Sequence, residues 1–528
     1  MSRKESLVRG AAALAVAGLL IKLSNLLVRV PLTRTMTAEG LGIYQMALPA
    51  FYALFHIAAG GVPVAVQNLV AEYMAKDRRA VAAQVLGLAL SYSVLAGGAA
   101  SVLMMVGAPT FARLLGEPKV RWALLAVGPA VVLFAVDSIY RNYLQGRKLM
   151  TPSATASVLE QGTKVGVTLA AAFLLVRATS GVEFGAAGAA LGITAGAVVS
   201  VLYMLYVYRQ IRVEDGPTTD RLEPRSALVR RMIKLAWPVT LGSVFMPVLQ
   251  LMDVGIVQRG FLKAQYLQHE ATAMYGYYSG IGVQVVWFPI VLTNALANAM
   301  VPVLAGAKAR GDHEAVVDRV LMGMRAAGLI CLPVALGVAV LAQPIANLFG
   351  EPAAAVPLRY LAPVAYLGPL AWLMTAQLQA LGRTGPPMRN FAIAMVIKLA
   401  LDALLAPIRG IDIRGVSAAS TLMFFIWCWM NARTLEEELQ ERLPWGWLLQ
   451  GPLLASVVMA GALTGLAAAG LLPTTPVVSV SVALMVAPVL YLATLVLSKA
   501  ITWSEIKEMS GPVGARLERL LQTIWPWS

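Results

Sequence analysis

The stretch ARLLGEP at residues 112–118 returns as ANLFGEP at residues 346–352. The echo continues at one fixed offset. Leu144-Gln145 matches Leu378-Gln379, each followed by a Gly-Arg step (Gly146-Arg147 and Gly382-Arg383), and Lys164 matches Lys398. The period is far longer than that of a solenoid repeat. It suits a duplicated bundle of long apolar segments, an arrangement common among transporters.

Composition names the solvent of that bundle. The chain has 528 residues, of which 59% are hydrophobic and 13% charged, with a mean hydropathy of +0.72. A soluble domain carries roughly 25% charged residues. A water-soluble core of this length cannot hide so much apolar surface, so the bilayer is the solvent. The net charge of +15 is no nucleic-acid signal, because the basic residues sit mostly in short gaps between apolar runs. Cys331 and Cys428 both lie inside apolar runs, and no structural disulfide is expected. The run after Met1-Ser2-Arg3-Lys4 is long enough to span, and reads as a first transmembrane helix rather than a cleaved leader.

The predicted fold is an all-α integral membrane protein of about fourteen transmembrane helices. The spans fall near 8–30, 41–70, 82–107, 122–144, 153–176, 184–208, 232–258, 272–304, 315–342, 358–382, 388–407, 415–432, 447–471 and 476–499. Gly60, Gly61 and Pro63 predict a kink in the second, and Pro289 one in the eighth. Lys76, Arg78 and Arg79, then Arg147 and Lys148, then the run from Arg209 to Arg231 fill alternate gaps. With Arg3, Lys4 and Arg9 they mark the cytoplasmic side, which puts both termini inside a multi-pass cell-membrane protein.

The matching motifs lie six spans apart, and an even number restores the same orientation. The halves are therefore parallel repeats. The domain reading is an N-terminal six-helix lobe (1–211), a linker (212–231) and a C-terminal six-helix lobe (232–435) around a central cavity. Two extra helices (436–500) follow, then an amphipathic interfacial tail (501–528).

Ionisable residues inside spans are costly and ask for a role. Lys22 and Arg29 stand two helical turns apart with Asn25 between, one face that suits an anion. The bland reading has the two cations snorkelling to opposite interfaces. Asp137 with Arg141, Glu160 with Lys164, and Lys398 with Asp402 are opposite charges at i, i+4, which can neutralise one another on one helix face. Glu160–Lys164 and Lys398–Asp402 lie deeper, in corresponding spans, and are read as cavity residues. Arg325 is a further cavity candidate, and Asp253 and Asp402 are candidates for a coupling ion. His56, His269 and His313 show no metal-ligand spacing, and no cofactor or metal is expected. No P-loop or hydrolase signature appears.

The segment from Lys22 to Met74 resembles the opening of the stage V sporulation protein B and polysaccharide-biosynthesis exporter family. LTRTMTAEGLGIYQ (32–45) and GGVPVAVQNLVAE (60–72) carry the match, with the Gly-Glu-Pro and Leu-Gln elements in support. That family belongs to the multidrug/oligosaccharidyl-lipid/polysaccharide exporter superfamily and is similar to the MurJ lipid II flippases. The resemblance implies two six-helix lobes around a cavity, first-helix cations that bind a pyrophosphate, and a groove for the lipid tail at 447–499. Arg29 falls on such a cationic position; Lys22 lies beside another.

The function expected from the resemblance is that of a flippase, not an enzyme. It would carry an undecaprenyl-pyrophosphate-linked cell-wall precursor, lipid II first, to the outer leaflet. Membrane potential or a cation gradient would drive the return. Its partners would be the lipid-linked sugar, membrane lipids and cell-wall synthesis proteins, with no nucleic acid. The alternatives are export of another lipid-linked oligosaccharide and ion-coupled multidrug export. Drug exporters favour acidic cavities, and Lys22, Arg29, Lys164 and Lys398 argue against the last.

Overall fold

In lipid every backbone polar group must be satisfied within the segment, so long apolar runs become helices. A computed structural model describes residues 3–215, 222–470, 473 and 475–498, with side chains at Ser24, from Val28 to Val213 and from Leu222 on. Among the described residues there is no strand. The expected tail helix, 501–528, lies outside them, as do the side chains of Lys22 and Asn25.

The chain divides into two compact units. The first comprises Met1–Ile281 with Phe349–Glu351 and Leu401–Val416. It contains α1 (Arg3–Ala59), α2 (Val62–Ala75), α3 (Arg79–Val106), α4 (Ala108–Leu115), α5 (Val120–Val127), α6 (Ala130–Gly146), α7 (Thr151–Thr179), α8 (Val182–Asp215), α9 (Arg225–Lys263) and α10 (Gln268–Tyr275). A π-helical turn, Gly276–Gly282, follows α10. Within this unit α1 packs against α7, α8, α9 and α10. A core of Val66, Leu69, Tyr73, Leu86, Ile139 and Met204 binds α2, α3, α6 and α8 together.

The second unit comprises Gly282–Leu348, Pro352–Ala400 and Ser417–Ser528. Its helices are α11 (Val283–Val286), α12 (Ile290–Ala309), α13 (His313–Val340), α14 (Ala342–Leu348), α15 (Ala355–Leu361), α16 (Val364–Ala380), α17 (Gly385–Leu405), α18 (Asp412–Leu439), α19 (Trp445–Ala468) and α20 (Pro476–Leu497). The ends of α17 and α18 at 401–416 belong to the first unit. Leu329, Met459, Ala483 and Tyr491 pack α13, α19 and α20 together. The Tyr491 hydroxyl donates to the Leu329 carbonyl at 2.9 Å.

Among the described residues eleven helices are long and apolar enough to cross a membrane, or twelve if the pair Pro352–Leu361 and Val364–Ala380, bent by 43°, is one span. Most of the first expected span, 8–30, lies outside the residues whose side chains are described, so this count begins at Val28. The stretch Val28–Ala75 counts once, yet its 48 residues would run about 70 Å at 1.5 Å per residue, more than twice a core of about 30 Å. Helix α17 carries Arg389, Lys398 and Asp402 and is too polar to be counted.

The gap expected at 31–40 is helical apart from one break. Thr37 has φ 60° and ψ 177° and separates two helices inside α1. The kink expected from Gly60 and Gly61 is present, with Gly60 at φ 50° between α1 and α2. Pro289 likewise separates α11 from α12. The expected linker at 212–231 is shorter than its charge suggested. Helix α8 reaches Asp215 and α9 begins at Arg225, after Pro224 at its N-cap. Arginines tolerate a helix well, and a helix of 39 residues projects past the hydrocarbon at its ends.

Candidate functional site

Arg29 lies in the first part of α1 and is half-buried. Its Nη1 donates to the Gly280 carbonyl at 2.8 Å and its Nη2 to Gln45 Oε1 at 3.4 Å. Gln45 Nε2 in turn donates to the Ser279 carbonyl at 3.2 Å. Both carbonyls come from the π-helical turn, whose wider winding releases them from the α-helical ladder. All these partners are neutral, so none of them balances the charge of the guanidinium. A guanidinium has five N–H donors, and two bonds leave part of the fork open to an anion.

The repeated Gly-Glu-Pro elements have a different task, and they perform it twice. Gly116 and Gly350 both have φ 79°, the left-handed conformation that ends a helix and that glycine adopts without strain. Each turn aims the next side chain. Glu351 Oε1 accepts the backbone N–H of Ala38 at 2.8 Å, just after the Thr37 break. Glu117 is buried and accepts the Thr272 hydroxyl and Gln268 Nε2, the latter at 2.8 Å. Ala38 and Thr272 are themselves separated by the repeat offset, as are Gly42 and Gly276.

At those glycines the two segments nearly touch. A Cβ on Gly42 would lie 2.3 Å from the Thr272 carbonyl oxygen, and one on Gly276 would lie 2.0 Å from that of Ala38. Beside this crossing Lys119 Nζ reaches Glu39 at 2.8 Å and Glu183 at 3.7 Å. Burial alone would lower the Lys119 pKa. The hydrogen bond to Glu39 and the charges of Glu39, Glu183 and Glu117 outweigh it and hold the ammonium above its usual range.

Arg141 forms a closed network. It bonds Asp137, as the i, i+4 spacing predicted. Its Nη2 also reaches Glu160 Oε2 at 2.7 Å and Ser200 Oγ at 2.7 Å, and its Nη1 the Ser153 carbonyl at 3.0 Å and the Ser157 hydroxyl. Ser200 donates to Asp137 Oδ1 at 2.7 Å. Glu160 makes a salt bridge at 2.7 Å to Arg141 on α6, and the charge of Lys164, one turn along α7, acts on the same carboxylate.

The other expected site residues lie on α9, α13 and α17. Asp253 is buried in α9. Lys398 and Asp402 are buried one turn apart in α17, at 4% and 0% exposure. Arg325, in the second unit, stacks at 4.0 Å from the Trp447 ring centroid and donates to the Trp447 carbonyl at 3.2 Å. It thus anchors α19. A polar cluster in that unit escaped the sequence reading: Asn390 Nδ2 donates to Asn431 Oδ1 at 3.0 Å, and Asn431 Nδ2 to Thr375 Oγ1 at 2.9 Å. Single amides in apolar helices carry no spacing signature that announces a partner on another helix. Cys331 and Cys428 are free and buried.

Comparison with known proteins agrees with this architecture. A family model described as polysaccharide biosynthesis protein matches residues 7–308, and the MatE model matches residues 276–404. Stage V sporulation protein B of Bacillus subtilis (strain 168) is 27% identical over 444 residues, 83% of this chain and 85% of the relative. The lipid II flippase MurJ of the same organism is 22% identical over 436 residues, 77% of this chain and 78% of the relative. A solved structure of lipid II flippase MurJ in an inward closed conformation superposes with a TM-score of 0.64 at 13% identity, covering 91% of this chain and 97% of that one. The described helices thus share a transporter fold. With more than half of its length matched by that family model, the chain belongs to the polysaccharide biosynthesis protein family.

Proposed function

We propose that this protein moves a lipid-linked sugar carrying a pyrophosphate, lipid II in the first instance, from the inner to the outer leaflet by alternating access. The observation that carries the reading is the contrast between two arginines. Arg141 is neutralised by Asp137 and Glu160, whereas the described partners of Arg29 are neutral. A half-buried cation with open donors suits a pyrophosphate, which cannot cross hydrocarbon without a substitute for its water shell. Similarity to a protein named lipid II flippase supports the choice of cargo. Lys22 and Asn25 would extend the same face, and Lys164 and Lys398 would contribute further positive potential.

The reading needs no covalent step. The six-span lobes would rock about the site, α19 and α20 would shelter the lipid tail, and Asp253 or Asp402 would bind a coupling cation. Membrane potential would serve as well, at about 2.3 kcal/mol per charge per 100 mV. A second reading, export of another lipid-linked oligosaccharide, shares the pyrophosphate chemistry and rests on the family to which the chain belongs.

A leaflet assay tests both. In cells depleted of their own flippase, lipid II accumulates on the cytoplasmic face, and expression of this chain should release it. Failure to release it, with the protein present in the membrane, removes lipid II as the cargo. Release of a different lipid-linked sugar in the same assay establishes the second reading.

A further inference from the structure

The first unit carries a cleft of about 470 Å³ between α4, the C-terminal half of α9 and the segment 401–416. Its walls are apolar, with Phe111, Leu114, Leu251, Ile256 and Pro407 among them, and its rim holds Arg259 and Lys263. Both cations are exposed. Arg259 donates to the Arg113 carbonyl at 3.2 Å. Among the described residues neither cation has an acidic partner, whereas Arg78, Lys119, Arg231 and Lys308 each do. Like charges at i, i+4 repel one another, so this pair is best stabilised by an anion that bridges it.

We propose that the cleft binds an anionic phospholipid, with its phosphate on Arg259 and Lys263 and an acyl chain along the apolar wall. The dimensions fit. Lys263 is the last residue of α9, and Leu251 lies twelve residues before it, about 18 Å at 1.5 Å per residue. One leaflet of a core of about 30 Å is about 15 Å deep. An anionic head on two cations and a chain in an apolar furrow together describe a phospholipid better than either a free phosphate or a neutral lipid. This inference does not depend on the cargo proposed above.

The test is native mass spectrometry of the purified full chain, offered equal amounts of phosphatidylglycerol and phosphatidylcholine. The wild type should retain phosphatidylglycerol preferentially. The double variant Arg259→Gln/Lys263→Gln should lose the preference by about 10- to 30-fold, and Lys263→Gln alone by part of that. Because both side chains are exposed, the melting temperature should be unchanged. An equal preference in wild type and double variant, or none in the wild type, overturns the proposal. So does a cleft that takes up an added polyprenyl diphosphate but not phosphatidylglycerol.

Discussion

Glu351 accepts the Ala38 N–H at 2.8 Å, and its repeat counterpart Glu117 accepts the hydroxyl of Thr272, the residue that corresponds to Ala38. Each Gly-Glu-Pro element thus secures the start of a helix belonging to the other half of the sequence. The two secured segments cross where Gly42 and Gly276 let their backbones meet. The duplicated motif is a reciprocal clasp inside the first unit. In an alternating-access cycle the crossing it closes would have to open, which makes the clasp the part of the scaffold most exposed to functional test.

Removing either carboxylate should cost more than neutralising it. Thr37 sits in a conformation unfavourable for a non-glycine residue, and the Glu351 cap offsets that strain. Glu351→Ala should destabilise the purified protein by about 1–3 kcal/mol, and Glu351→Gln, which keeps an acceptor, by less. The same order should hold for Glu117→Ala and Glu117→Gln. Thermal unfolding in detergent measures this; melting of all four variants at the wild-type temperature would show that the clasp contributes nothing.

The glycines of the crossing should tolerate no methyl group. Gly42→Ala or Gly276→Ala must push a backbone carbonyl aside, for about 1–3 kcal/mol, and both should fail in a growth-rescue assay. Gly98 in α3 has nothing within 4 Å of an added Cβ. Gly98→Ala should therefore be neutral or stabilising by up to about 1 kcal/mol. If all three behave alike in melting and in rescue, the close approach is not what matters.

For Arg29 the functional and structural roles predict different substitution patterns. Arg29→Ala should abolish release of lipid II at normal protein level. Arg29→Lys keeps the charge but cannot bridge Gly280 and Gln45 together, and should retain reduced activity. Gln45→Leu removes one neutral tether and should lower activity less than Arg29→Ala does. Full activity of Arg29→Ala would sink the anion-site assignment.

Exchanging Glu160 and Lys164 would bring a lysine against Arg141, so Glu160→Lys/Lys164→Glu should be unstable. Arg141→Met leaves Asp137 buried without its cation and should cost about 3–5 kcal/mol. Glu160→Gln keeps an acceptor for Arg141 and should cost less. A double-mutant cycle of Asp137 and Arg141 in membrane mimetics reads the coupling directly; a coupling near zero would contradict the network.

Much of the fold was legible because its physics is local. An apolar run of about 20 residues becomes a helix wherever it lies in lipid, and glycine or proline marks where that helix bends. The i, i+4 spacing of Asp137 and Arg141 needs only one helix to be read. The break at Thr37 was not legible: threonine has no preference for that conformation, and the residue that caps it lies more than 300 positions away. Arg141 captured Glu160 for a related reason, since sequence spacing records neighbours along one helix and says nothing of the helix beside it.

The sequence by itself determined that this is a membrane-embedded, duplicated helical protein of the polysaccharide exporter type. Composition, periodicity and repeated motifs are summed over many residues and survive the loss of any one contact. Only the tertiary structure decided which charges are neutralised and which stay open, and what the repeated glutamates hold. Those outcomes depend on single atoms that packing brings within 3 Å, from segments whose separation along the chain carries no record of it.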